Sequence, residues 1–584
     1  MSDLPSRVDA FLAEFFRLHP TFATAIGEHA HDDRWPDLTA AGREERLAFG
    51  ELWLAEFGSL TDLTTDEAID RDLLVAELEA ARFAETELRE DTWNPLDWVY
   101  LMGDGLFTLN AREFAPLADR LASTAGRLET LPAVLDAARA TLVGHAGRPV
   151  GRFQTETALR QLAGIEELIA DALSAAEAAA PSDPGVAAGS PRLIAAAETA
   201  RVGLAAFELH LREVVLPASE GEGRLGTELF AAKMRHTMRS ETLTPERILA
   251  AAEREYVAVR AEMVRLARDL WTAWCGDRPI PDEDGAIVRG VLDAVAAEHP
   301  EAGDLLDFCR AENARIEAFC VERDLIGLAD EPLEIQWTPV FLRSHGGAML
   351  SSPGPLDKGQ KAFFAITPMP DDWTDEQRES NLREDNDRML RLLTIHEAVP
   401  GHYLQGVYAN RCPSVVRAIF ASGRFAEGWA VYVTQVMMDV GYGTDDPALL
   451  LTHWKFYLRS ITNAMIDARI HCDGMTEAEA VSLMVDGGFQ EESEARAKFD
   501  RARLSSTQLS TYFTGSLEMW DIEREVRRRA AIASGDPRGV AAVPEPRVVG
   551  GFGETPGFVY RPHLESVIAH GSPPISFLRR ILLG

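Results

Sequence analysis

Apolar residues recur with helical spacing over most of the chain, and the polar positions between them carry repeated helix-start signals. Leu249–Trp271 is rich in Ala, Glu, Arg and Leu on such a spacing. It follows Thr244-Pro245-Glu246, which supplies an N-cap, a proline for the first turn and an acid near the helix N-terminus. Thr374-Asp375-Glu376-Gln377 reads as a capping box opening a helix that continues through Met389, Leu390, Leu392 and Leu393 toward His396. Thr476-Glu477-Ala478-Glu479 reads as another, opening a helix through Val485. The alanine-rich run Ile169–Ala180 also predicts a helix.

The pattern changes in three places. Pro181-Ser182-Asp183-Pro184-Gly185 and the small residues after it predict a linker. Leu333–Trp337, Pro339–Leu342 and Phe363–Ile366 predict strands of a small sheet. Val549–Gly557 predicts a flexible turn. It lacks the strand and helix that a dinucleotide-binding glycine motif needs. The fold class is therefore mainly α, a large helical body with a small β-sheet just upstream of the chemical motif. Residues 1–180 form an N-terminal helical segment, 190–332 a second, and 333–584 the sheet plus a catalytic helical region, unless all three are one continuous body. No internal repeat is visible.

Composition narrows the function more than the fold. The 584 residues are 46% hydrophobic and 26% charged, enough for a large core without covalent staples. A formal charge of −35 argues against nucleic acid or an anionic membrane as partner, since both select basic surfaces. The cysteines, Cys275, Cys309, Cys320, Cys412 and Cys472, are odd in number and none forms a C-x-x-C pair. With no signal peptide and no apolar span in view, they predict reduced thiols in a cytoplasmic protein.

The chemistry gathers around His396-Glu397-Ala398-Val399-Pro400-Gly401-His402. A His-Glu pair on one helix lets the imidazole bind a metal while the carboxylate takes a proton from metal-activated water. The usual second ligand lies one turn on, but Pro400 stands there and cannot bind. In a continuous helix His402 would point roughly 120° away from His396 and about 9 Å up the axis. Pro400 removes a helical hydrogen bond and Gly401 tolerates almost any backbone angle, so a broken turn could swing His402 back. Glu427, in Phe425-Ala426-Glu427-Gly428-Trp429-Ala430-Val431-Tyr432, is the candidate third ligand. The expected metal set is thus His396, His402 and Glu427 around one Zn²⁺, with Glu397 as general base.

These motifs resemble the DUF885 family of predominantly bacterial, metallopeptidase-like proteins. Its His-Glu-x-x-Pro-Gly-His motif stands at His396–His402 and its Glu-Gly-Trp-Ala-x-Tyr motif at Glu427–Tyr432. Looser likenesses lie in Pro20–Gly27 with Asp32 and Asp33, and in Ile466–His471 followed by Gly474-Met475-Thr476. The chain departs from the family pattern at Arg469, at Met475 and at Ser506–Leu509 before Tyr512 and Gly515. The resemblance implies a helical body with a central cleft, similar in outline to gluzincin-type peptidases.

Further candidates follow from residue chemistry. Asp467 and His471 share a helix face, which suits Asp467 to orienting a metal-bound histidine and His471 to stabilising an oxyanion. Tyr512 is a second oxyanion donor. Arg424 and Arg459 could each fork onto a substrate carboxylate, with Tyr432 also placed in substrate binding. His29 and His31 beside Asp32, Asp33 and Asp37 read as a polar loop rather than a second metal site. There is no Gly-x-Ser-x-Gly elbow and no Walker loop. The leading expectation is zinc-dependent hydrolysis of an amide bond in small peptides or peptide-like compounds. A metal-dependent lyase or non-peptide hydrolase, and a non-catalytic binding protein on a peptidase-like scaffold, are the alternatives.

Overall fold

The computed structural model describes residues 3–338, 347–370, 372–535, 549 and 551–584. Among them, helices account for most of the chain and one three-stranded sheet for the strands. The described residues divide into two units, the first made of residues 3–224 and 353–361, the second of 225–338, 347–352 and 362–584. No helix among them is long and apolar enough to cross a membrane. All five cysteines are unbridged.

The first unit is helical. Leu4–Leu18 and Ala40–Gly58 bury a cluster of stacked and edge-on rings from Phe11, Phe49, Trp53 and Phe57. The expected linker at Pro181–Gly185 is instead a tight turn. Asp183 accepts from the backbone N–H groups of Gly185 and Val186, so Pro184 opens a helix to His210 and the small residues lie inside it. The polar loop expected near His29 is polar but well ordered by its contacts. His29 lies parallel to the Phe114 ring at 3.8 Å, with Nδ1 2.9 Å from Asp32 and Nε2 3.5 Å from Asp357. Asp357 belongs to residues 353–361, where Leu356 N–H donates to the Ile26 carbonyl at 3.0 Å.

The second unit carries the predicted sheet and the chemical motifs. The helix expected from Thr244 runs over Pro245–Cys275, with the Thr244 hydroxyl accepting from Arg247 N–H. Strand β1 is Leu333–Trp337, β2 is Ala348–Ser351 and β3 is Ala362–Ile366. The order is β1-β3-β2, with β1 parallel and β2 antiparallel to β3. Two expected strands thus appear. The third, Pro339–Leu342, lies outside the described residues, and β2 is a strand that periodicity does not predict. Ile335, Phe364 and Ile366 share one core with Leu305, Leu306 and Cys309 and with Leu390 and Ala398. The sheet therefore buttresses the segment that carries His396.

One predicted helix ends earlier than expected, and another reaches its expected end with a change of winding. Thr374 makes its capping box with Gln377, but that helix stops at Glu384. Asn386 then caps a new helix, Asp387–Glu397, accepting from Arg388 and Met389 N–H. The Thr476 box is also present, and its helix Glu477–Ser482 passes into a π turn at Leu483–Gly487. Near the C-terminus the described turn residues wrap the buried Arg527, whose guanidinium faces the rings of Phe552, Phe558 and Tyr560 and donates to the Gly553 carbonyl.

Candidate metal centre

The His396 helix ends at Glu397 and the next helix, His402–Asn410, begins at His402. Between them Ala398 adopts φ −102°, ψ −108° and Gly401 φ −72°, ψ −137°, and the Val399–Pro400 bond is cis. This is the break that Pro400-Gly401 predicts. Gly401 is needed for close approach: a Cβ there would fall on the carbonyl oxygens of Ile395 and His396. The returned chain brings the His396 and His402 ring centroids to 4.7 Å, with the planes 82° apart. Ligand atoms of His396, Glu397 and His402 lie within 4.8 Å of one another. Phe456 packs edge-on against the His396 ring at 5.6 Å.

Glu427 sits on the helix Gly423–Asp439 and faces both imidazoles. Its Oε2 lies 3.8 Å from His396 Nε2 and 3.5 Å from His402 Nε2. Those separations are long for hydrogen bonds. They match ligands sharing one ion: two atoms each ~2.1 Å from zinc at a tetrahedral angle sit about 3.4 Å apart. Glu427 Oε2 and His396 Nδ1 are buried without a hydrogen-bond partner. Two imidazoles and a carboxylate whose one orphaned oxygen is directed at both together fit a zinc ion. Glu397 is within reach as an alternative carboxylate, but Glu427 is the one directed at both Nε2 atoms.

Three further residues of the Glu427 motif, Gly428, Trp429 and Tyr432, make distinct contacts around that helix. A Cβ on Gly428 would lie 2.5 Å from Cα and C of Gly515, so the glycines let the Glu427 helix cross Ser510–Ala533 backbone to backbone. Trp429 is fully buried and its Nε1–H donates to the Pro400 carbonyl at 3.0 Å, tying the broken turn to the Glu427 helix. Tyr432 donates to Glu523 Oε2 at 2.6 Å, beside His563.

Electrostatics follow the geometry. Burial opposes a charge on His402, yet Glu427 and then Glu397 outweigh it and raise the pKa above the ordinary histidine value. Burial likewise opposes ionisation of Glu427, but the two imidazoles draw it well below the usual carboxylate range. Tyr512 lies on the Ser510–Ala533 helix. Its phenol is pushed up by burial and then by the Glu427 charge, so it stays protonated at neutral pH. Its oxygen accepts from Arg501 Nη2 at 3.2 Å and from Gln508 Nε2 at 3.3 Å.

Several residues expected at the site fall elsewhere. Asp467 does not orient a metal ligand. Its carboxylate accepts from Thr507 N–H at 3.0 Å and from the Ser510 N–H and hydroxyl at 3.1 and 2.7 Å. His471 is not an oxyanion donor, because Nδ1 accepts from Leu225 N–H at 3.1 Å and Nε2 donates to the Ala502 carbonyl at 3.0 Å. Tyr432 is fully buried and spends its hydroxyl on Glu523, which removes it from substrate contact. Arg424 is buried against Thr514 and the Met238 carbonyl and pairs with Glu518 at 2.9 Å. Arg459 pairs with Glu384 and, at 3.8 Å, with Glu494, in a network completed by Lys455 and Lys498. Sequence reasoning missed Arg501, Phe456 and the Gly428–Gly515 crossing, none of which carries a local signal.

The comparisons with known proteins agree on architecture. The model of a family described as bacterial protein of unknown function (DUF885) matches residues 20–538. A solved structure described as "a putative lipoprotein of unknown function from Shewanella oneidensis" is 29% identical. It superposes with a TM-score of 0.79, covering 99% of this chain and 98% of that one. A second, a "putative lipoprotein from Colwellia psychrerythraea", has a TM-score of 0.74 with the same coverage, and at 15% identity it shows the fold alone. No curated protein matches the chain.

Proposed function

The chain belongs to the DUF885 family of bacterial proteins, and from that premise we propose that it is a zinc-dependent hydrolase cleaving an amide bond in small peptides or peptide-like compounds. The observation that carries this reading is the convergence of His396, His402 and Glu427, with the Glu427 carboxylate directed at both Nε2 atoms. The His-Glu pair beside a buttressing sheet also supports a likeness to gluzincin-type peptidases.

His396, His402 and Glu427 would hold the ion, which when bound polarises a carbonyl and lowers the pKa of water. Glu397 follows His396 directly, so its carboxylate takes the proton from the attacking water and delivers it to the leaving nitrogen. Tyr512 donates to the carbonyl oxygen as negative charge builds there. Its oxygen already accepts two hydrogen bonds, which leaves its own proton for the substrate. Trp429 and Gly401 hold the two histidines together and touch no substrate.

Paired variants test the assignment. Glu397→Gln keeps stoichiometric zinc by elemental analysis while turnover of a peptide panel falls roughly 10²–10⁴-fold. Glu427→Gln loses zinc. Unchanged turnover in Glu397→Gln would remove the general base and with it this mechanism.

A further inference from the structure

Resting on the hydrolase reading, we propose that Arg501 binds the free carboxylate of the substrate, so that the enzyme removes a carboxy-terminal residue. The other cations near the centre are already matched to acids. Arg424 pairs with Glu518, Arg459 with Glu384 and Glu494, Lys455 with Glu384 and Lys498 with Glu494. Arg501 forms no ion pair among the described residues. Its Nη2 donates only to neutral oxygens, Gln508 Oε1 at 3.1 Å and Tyr512 Oη at 3.2 Å. Its remaining guanidinium nitrogens are not among the buried unpartnered atoms, and the side chain is half-buried. Glu427 and Glu494 act on its charge from beyond ion-pair distance, so no carboxylate occupies its donor edge, and a guanidinium with that edge open is the group that selects a planar carboxylate.

The position sets which carboxylate. Tyr512 Oη, the donor to the reacting carbonyl, is in direct contact with the Arg501 fork. One residue of peptide advances ~3.8 Å, so a substrate whose carbonyl meets Tyr512 presents the carboxylate of the very next residue to Arg501. An internal peptide bond has a neutral amide there. The substrate class is therefore peptides or acylated amino acids in which the scissile amide is the last one.

Binding separates this inference from the catalytic reading. Acetylated dipeptides with a free carboxylate, and the same dipeptides as carboxamides, are titrated by calorimetry into zinc-loaded Glu397→Gln protein. The acids should bind about 10- to 100-fold tighter than the amides. Adding Arg501→Ala should abolish the difference, the acids losing far more affinity than the amides, with zinc content unchanged. Arg501→Lys, which keeps the charge and the packing, should retain part of the preference and covers the case that the alanine variant misfolds. Equal binding of acid and amide across the panel, or an acid preference that survives Arg501→Ala, overturns the proposal. In wild-type protein, acid-selective binding without turnover counts against the hydrolase reading and leaves the carboxylate site standing.

Discussion

Gly428→Ala puts the packing of the centre to a direct test. Glycine to alanine inside a helix ordinarily stabilises by about 0.8–1 kcal/mol. Here the new Cβ would lie 2.5 Å from Cα and C of Gly515, where carbon atoms prefer roughly 3.5–4.0 Å. The Glu427 helix and the Ser510–Ala533 helix must part by about 1 Å, and overpacking of that kind costs ~1–3 kcal/mol. The net expectation is destabilisation of up to about 2 kcal/mol, a fall of up to a few °C in Tm. Gly515→Ala should behave alike, since its Cβ would overlap the Arg424 carbonyl and lie 2.7 Å from Gly428 Cα. Because one separation relieves both clashes, the double variant should cost less than the sum of the singles. Calorimetric melting of the four proteins, alongside zinc affinity by chelator competition, reads both effects. Glu427 precedes Gly428, so affinity should fall with stability. Gly50→Ala, where nothing lies within 4 Å of the new Cβ, controls for the sign and should not destabilise. Stabilisation by Gly428→Ala, or strict additivity with Gly515→Ala, would refute the crossing as the element that seats Glu427.

Trp429→Phe removes the donor to the Pro400 carbonyl, and leaving a buried carbonyl unpaired costs ~1–3 kcal/mol. Zinc affinity should weaken roughly 5- to 100-fold with every ligand intact, and an unchanged dissociation constant would count against the tie. Acid stability should depend on His453, whose pKa burial lowers to about 3 from 6.5. At pH above 6.5 both folded and unfolded forms are neutral. As pH falls toward 3 the unfolded chain takes up the proton first, so stability is lost at about 1.4 kcal/mol per pH unit. His453→Gln keeps a donor to Gln435 and cannot titrate in that range, so Tm should drop less between pH 6.5 and 5 than in wild type. Parallel Tm–pH curves would remove His453 as the acid-sensitive group.

Sequence signals are legible where the physics is local. Thr244, Thr374 and Thr476 cap helices through backbone groups three residues away, and Pro400-Gly401 breaks a helix through its own covalent geometry. Asn386 is equally legible as a cap, but the apolar run beyond it masks the boundary. Asp467 and His471 share a helix face as their spacing requires. Periodicity says which residues share a face and not which neighbour that face meets, and here it meets Thr507, Ser510 and Leu225. The same limit hides Arg501. Its difference from Arg424 and Arg459 lies in the acids that make direct contact with those two, brought there from distant parts of the chain.

The seating of residues 353–361 on the first unit has a consequence for synthesis. Asp357 and Leu356 complete contacts to His29 and Ile26, yet the chain between Leu225 and Ser352 is made before they emerge. At 5–20 residues per second the N-terminal helices wait roughly 7–27 s at the ribosome for their last segment. Through that interval the Ile26 carbonyl lacks its Leu356 partner and His29 has only one of its two carboxylates. A fragment cut after Arg224 would carry that exposure permanently, a seam open to proteases and holding chaperones that the finished chain closes over itself.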